Sequence, residues 1–250
     1  MSASTARLVV VEEPDETPDD GLVDTLRRRV TGAYDLDPWG LDDDVTRLAG
    51  KVASLRWSAA VVGIEHVPVD GPALLVANRR LGWSEPAVVA SAVLRETGRI
   101  VRPVGGVGFD PVAGILRRLG VVPASADEVS ATLRAGNVVL VPTRREPVRS
   151  RPGHLPIDLV AAGLSADAPL VPVAVIGWEF GRHWTVRIGE PVILARPARA
   201  RRSGTVDPRA VGEAAVAVSA ALDELIGRGP ERDLKDRVRS LMPAPGRSRT

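Results

Sequence analysis

The chain has 250 residues, 44% of them hydrophobic, and a formal net charge of +2. That is enough apolar material for a sizeable core in one domain, and too balanced a charge to present a global field to nucleic acid, so no nucleic-acid partner is expected. It contains no cysteine and three histidines scattered along the chain, which excludes disulfides, thiol catalysis and thiolate-bound metal, and leaves no metal or cofactor site expected.

Residues 1–38 form an arm rich in Asp, Glu and Pro, expected to be disordered. Its short apolar run Leu8–Val11 follows Arg7 and gives way at once to Glu12, Glu13, Asp15 and Glu16, which does not fit a secretory signal. No stretch reaches the about 18 apolar residues needed to span a bilayer. A cytoplasmic protein is expected, with peripheral contact to the inner face of the membrane left open.

From Leu41 to about Ala60, Val45, Leu48, Val52 and Leu55 recur at helical spacing, and Asp42 to Asp44 sit where carboxylates favour a helix start. The periodicity favours packing on the domain's own core. The alternative is a membrane-facing helix with Trp57 in the interfacial layer.

Strands are expected at 60–64 and 73–77, separated by the Pro/Asp/Gly turn at 68–72. A helix over 86–97, a strand over 100–104, a short helix over 111–119 and a strand at Val121–Val122 follow. The pattern continues with a helix over 128–135, a strand over 138–141, a helix over 155–164, and strands over 170–176 and 185–188. Helices alternating with apolar strands imply an α/β domain with a mostly parallel central sheet flanked by helices, placed at 39–195.

Residues 196–250 change character. Arg196, Arg199, Arg201 and Arg202 form a basic linker, and Asp207-Pro208 opens an amphipathic helix with an apolar face of Val211, Ala214, Ala215, Val218, Leu222, Leu225 and Ile226. Gly229-Pro230 stops it, a charged helix runs from Glu231 to about Met242, and a basic tail is expected to be disordered.

Residues Ala73 to Pro86, ALLVANRRLGWSEP, carry the most specific signal. An apolar strand ends in Asn78, a loop follows, and a helix opens near Pro86. Together with Asp37-Pro38-Trp39-Gly40, Gly63-Ile64-Glu65-His66-Val67-Pro68, the Phe109–Gly120 block, Val141-Pro142-Thr143-Arg144-Arg145 and Val171-Pro172-Val173, it resembles the phospholipid/glycerol acyltransferase family, the lysophosphatidic acid acyltransferases and their relatives. The resemblance covers roughly residues 60–193 and implies the family's fold. It also implies an acyl-CoA donor, which would be substrate or ligand rather than cofactor.

The family's strand end carries Asn-His-x-x-x-x-Asp, His as base on the acceptor hydroxyl and Asp orienting it. Here the His position is Arg79 and the Asp position is Ser84. The Arg that usually follows the second block is missing, and the third block, normally Phe-Pro-Glu-Gly-Thr-Arg, keeps Pro142 but has Thr143 for Glu and Arg144 for Gly. A guanidinium stays protonated and has no lone pair to offer, so it cannot replace the His.

The resemblance therefore implies a scaffold whose catalysis is impaired, binding acyl-CoA or an anionic lipid. If its loops converge, Arg79, Arg80, Thr143, Arg144 and Arg145 would line an anion pocket. Two other readings stay open. One is an active acyltransferase on an unusual acceptor, with Glu85 or His154 as base. The other is an interaction module that engages proteins through the acidic arm and the carboxy-terminal helix. His66 is expected at the surface and His183, beside Trp184, in a structural role. Gly105-Gly106-Val107-Gly108 follows a strand but lacks the spacing of a dinucleotide-binding loop.

Overall fold

The structure is a computed structural model, and it describes residues 36–79, 84–105, 112–144, 152–194 and 206–227. Most of the acidic arm, Arg80, Arg145, the basic linker and everything beyond residue 227 lie outside the described residues.

The elements run α1 (Asp43–Arg56), β1 (Ser58–Val62), a 3-10 turn (Ile64–His66), β2 (Ala73–Ala77), α2 (Ser84–Thr97), β3 (Val101–Gly105), α3 (Val112–Arg118) and β4 (Val122–Pro123). They continue with α4 (Ala126–Arg134), β5 (Val138–Pro142), α5 (Ile157–Ser165), β6 (Leu170–Gly177), β7 (His183–Ile188) and α6 (Pro208–Gly227). Among the described residues one seven-stranded sheet has the order β1-β7-β6-β2-β5-β3-β4. All pairings are parallel except β6 with β7. This is the expected α/β class, a mostly parallel sheet between helical layers.

Strand alternation divides the core. Leu75, Ala77, Leu140 and Val173 face one layer, where Val88, Val89, Ala92 and Val93 of α2 cover them. Leu74, Val76, Val139 and Val141 face the other, packed by Leu133 of α4, Leu159 and Val160 of α5, and Val218 and Leu222 of α6. Central β2 is buried along its whole length, which is why it reads as an unbroken apolar run. The α2 crossover lies on one face and the α5 crossover on the other, and β2 sits between β5 and β6. The carboxyl end of β2 is therefore a topological switch point, where open α/β sheets bind ligands.

The structure changes several sequence expectations. The last residues of the arm are docked rather than loose. Asp37 accepts from the amides of Trp39 (2.9 Å) and Leu41 (2.8 Å), and its carboxylate pairs with Arg102. Arg102 is 2% exposed, donates from Nε to Asn137 Oδ1 at 3.0 Å and lies over the Trp39 ring. Burial pushes its pKa down to about 10, so it stays charged at neutral pH and depends on Asp37 for compensation.

Helix α6 does not stand apart from the domain. Val211, Ala214, Val218, Leu222 and Leu225 are buried, most of them in the core cluster with α5 and the sheet. The apolar face that a partner would need is thus spent on the protein's own core. The sheet rather than a second chain completes this amphipathic helix.

In α1 the expected face is only half used. Gly50 sits where a Cβ would come within 2.6 Å of Leu94 Cδ2, so α1 packs closely on α2 through its small residues, while Val52 and Leu55 are 58% and 77% exposed. Trp57 packs against the core instead of facing outward. Strand β1 ends two residues earlier than expected because Gly63, at φ 81°, turns the chain into the 3-10 segment. His66 is half-buried, not a plain surface residue, with Nδ1 2.9 Å from the Ile188 carbonyl oxygen.

Candidate functional site

Three neighbouring strands deliver their carboxyl ends to one place. β2 leads into Asn78 and Arg79, β5 into Thr143 and Arg144, and β6 into Trp178 and Glu179. Asn78 is buried and ties β2 to β6, its Nδ2 donating to the Val175 carbonyl at 3.2 Å and its Oδ1 accepting from the Val175 amide at 2.6 Å. This bidentate amide pairing takes over where the strand ladder ends, and it fixes the direction of the loop that follows.

Thr143, 1% exposed, fixes the other side. Its amide donates to the Ala77 carbonyl at 2.8 Å. Its Oγ1 accepts from the Arg79 amide at 3.0 Å and donates to the Pro152 carbonyl at 2.5 Å. The loops after β2 and β5 therefore do meet, through backbone and hydroxyl groups. Arg79 is half-buried, Arg144 exposed. The Arg144 amide donates to the His154 carbonyl at 2.8 Å, which brings His154, itself exposed, to the same edge. Arg80 and Arg145 lie outside the described residues.

Ser84 opens α2 and is 5% exposed. Its Oγ donates to Glu179 Oε1 at 2.5 Å, and its amide donates to the same oxygen at 3.2 Å. A carboxylate from the β6–β7 turn thus caps the α2 start, where the helix dipole favours negative charge. Sequence reasoning missed Glu179. It lies 95 residues from Ser84 in a short turn, and nothing local marks it. Glu85, the carboxylate singled out from sequence, is 4% exposed in the first turn of α2, a helix-start position rather than an open one. His183 opens β7 and is exposed, while Trp184 beside it is buried.

Beside this edge, between α1, α2, α3 and β3, lies a mainly apolar cavity of about 250 Å³ lined by Thr46, Gly50, Pro86, Ala90, Leu94 and Leu116 among others. Pro86 is two residues beyond Ser84, so the cavity reaches the end of α2 that carries the site. Among the described residues no His/Asp/Glu group could hold a metal ion, and no helix is long and apolar enough to cross a membrane.

No protein-family model matches the sequence, and no curated protein sequence matches it. Among solved structures, the chain is similar to the crystal structure of the 1-acyl-sn-glycerophosphate (LPA) acyltransferase PlsC from Thermotoga maritima, with a TM-score of 0.49 and 16% sequence identity over 81% of each chain. The architecture described above rests on the strands and helices of this chain itself.

Proposed function

We propose that this chain is an acyltransferase-like protein that binds an acyl thioester or an anionic lipid at the carboxyl ends of β2, β5 and β6, and that has lost base-assisted acyl transfer. The observation that carries the reading is the composition of the strand end. Where the resembling family places its base, this chain has Arg79, and the loop holding it is anchored by Thr143. Where that family places the orienting carboxylate, Ser84 has its hydroxyl hydrogen committed to Glu179.

The ligand class follows from the surroundings. Arg79 and Arg144 are permanent cations, and arginine suits phosphate or carboxylate. The neighbouring cavity, with its Pro, Ala, Gly and Leu lining, suits an aliphatic tail. Loss of general-base assistance costs roughly a hundred- to ten-thousand-fold in rate, so binding outlasts turnover.

The test is a titration of purified protein with a long-chain acyl-CoA and with free CoA, followed by calorimetry. Acyl-CoA binding clearly tighter than CoA binding, weakened in an Arg79→Ala/Arg144→Ala variant, is expected. Absence of acyl-CoA binding, or affinity indifferent to the acyl chain, would overturn the reading.

A further inference from the structure

We propose that the β6–β7 turn, together with the carboxyl end of α1, is a docking surface for anionic lipid bilayers, with Trp178 and Phe180 as its inserting residues. This goes beyond the strand-end site and does not require that site to be occupied.

The aromatic pair is the first observation. The chain is poor in aromatics, with five Trp and two Phe, yet Trp178 and Phe180 stand together at one turn, 62% and 74% exposed. Their rings meet edge to face with centroids 5.4 Å apart, so each packs on the other while most of its surface faces solvent. Glu179 between them turns the opposite way, into its bonds with Ser84. The turn therefore presents two aromatics outward and holds its carboxylate inward.

The turn is also braced. Arg56 at the end of α1 donates to the carbonyls of Gly181 and Phe180, both at 3.3 Å. Arg182 donates to the Leu55 carbonyl at 3.4 Å, and the Ser58 amide donates to the Arg182 carbonyl at 2.7 Å. These bonds set exposed Leu55, 77% accessible, and Val52, 58%, one helical turn apart beside the aromatic tip. The result is a fixed apolar cluster, whose ordering cost is met in folding rather than on binding.

Charge identifies the occupant. Over residues 51–58 and 177–184 the cations are Lys51, Arg56 and Arg182, and the acidic residue is the inward-turned Glu179. The surface continues into a groove of about 470 Å³ between α1 and α2, where Lys51 stands beside Gly50 and Leu94, while Arg47 and Arg95 in the same lining pair with Asp43 and Glu96. Tryptophan and phenylalanine at a rim of Arg and Lys match the interfacial layer of a bilayer, where rings sit at headgroup depth and cations meet lipid phosphates. Arg56 keeps guanidinium donors beyond those given to the two carbonyls. Docking in this way brings Glu179, and with it the strand-end site, to the membrane surface.

The experiment is vesicle co-sedimentation of the full chain with phosphatidylcholine alone and with about 30% phosphatidylglycerol added, at low salt and at about 0.5 M salt. Binding to the anionic vesicles that weakens at high salt is expected, along with quenching of Trp fluorescence by brominated lipid. Trp178→Ala/Phe180→Ala should lower the partition by at least about tenfold, Arg56→Gln/Arg182→Gln should remove most of the salt dependence, and Phe180→Trp should retain binding. Circular dichroism should be unchanged in the aromatic variant, and acyl-CoA titration without vesicles should be unchanged in Arg56→Gln/Arg182→Gln, whose side chains lie outside the strand-end site, so that a failed surface is distinguished from a failed ligand site. Equal vesicle binding by wild type and the aromatic variant would overturn the proposal. So would no binding by wild type, or a wild-type dimer dispersed by the same double substitution.

Discussion

The hydroxyl of Ser84 and the carboxylate of Glu179 share a 2.5 Å hydrogen bond across 95 residues of chain, and this contact joins the start of α2 to the β6–β7 turn. A carboxylate from the β6–β7 turn thus caps the start of α2, in a position that excludes a second carboxylate on Ser84.

A substitution follows from that exclusion. Ser84→Asp sets two carboxylates in hydrogen-bond contact, and like charges so placed cannot both ionise in the fold, so one pKa is strongly raised. An acid whose folded pKa is raised stabilises the fold less as pH rises. Ser84→Asp should therefore lose stability relative to wild type between about pH 5 and 7, and Ser84→Asp/Glu179→Gln should recover it. Urea denaturation at the two pH values checks this.

Asp37 gives a sharper stability test. Arg102 is buried and charged, with Asp37 as its carboxylate partner. Removing one partner of a buried ion pair costs about 3–5 kcal/mol. Asp37→Ala should lower the denaturation midpoint accordingly, whereas Asp37→Ala combined with Arg102→Met should restore much of it.

Thr143 connects stability with ligand binding. Thr143→Val leaves the Arg79 amide and the Pro152 carbonyl without the bonds Oγ1 now makes, at a cost of about 1–3 kcal/mol. It should also weaken acyl-CoA binding by displacing Arg79, while Thr143→Ser preserves both. Thermal melts and calorimetric titration of the two variants separate the effects.

Gly177 tests the β6–β7 pair behind the turn. It faces Trp184 across the antiparallel β6–β7 pair, and a Cβ there would lie 2.3 Å from the Trp184 ring. Gly177→Ala should cost roughly 1–3 kcal/mol through overpacking, and a melt that does not shift would contradict the packing described.

Much of the scaffold was legible because its signals are local. The run Ala73–Ala77 coincides with β2 and Leu170–Ile176 with nearly all of β6, since central parallel strands must be apolar on both faces. The apolar face of α6 was also readable, but not what it covers, because amphipathicity gives a direction and not a partner. Asp37 was assigned to a loose arm because the group that holds it, Arg102, belongs to a distant strand. Glu179 was missed for the same physical reason. A single carboxylate in a turn gains its role from what folds against it, here Ser84. Arg79, Ser84 and Thr143, by contrast, were singled out from sequence because the resemblance puts motif positions there, and Arg79 and Thr143 follow closely on the apolar runs that form β2 and β5.

The central proposal is that base-assisted transfer has been lost at this strand end. It is tested most directly by mass-spectrometric measurement of acyl transfer from acyl-CoA to lysophosphatidic acid. Wild type is compared with an Arg79→His/Ser84→Asp/Glu179→Gln variant, in which the third change removes the competing carboxylate. A silent wild type beside a variant that transfers is the predicted result. Turnover by wild type, lost on Glu85→Gln or His154→Ala, would contradict the claim and assign the chemistry to a different base.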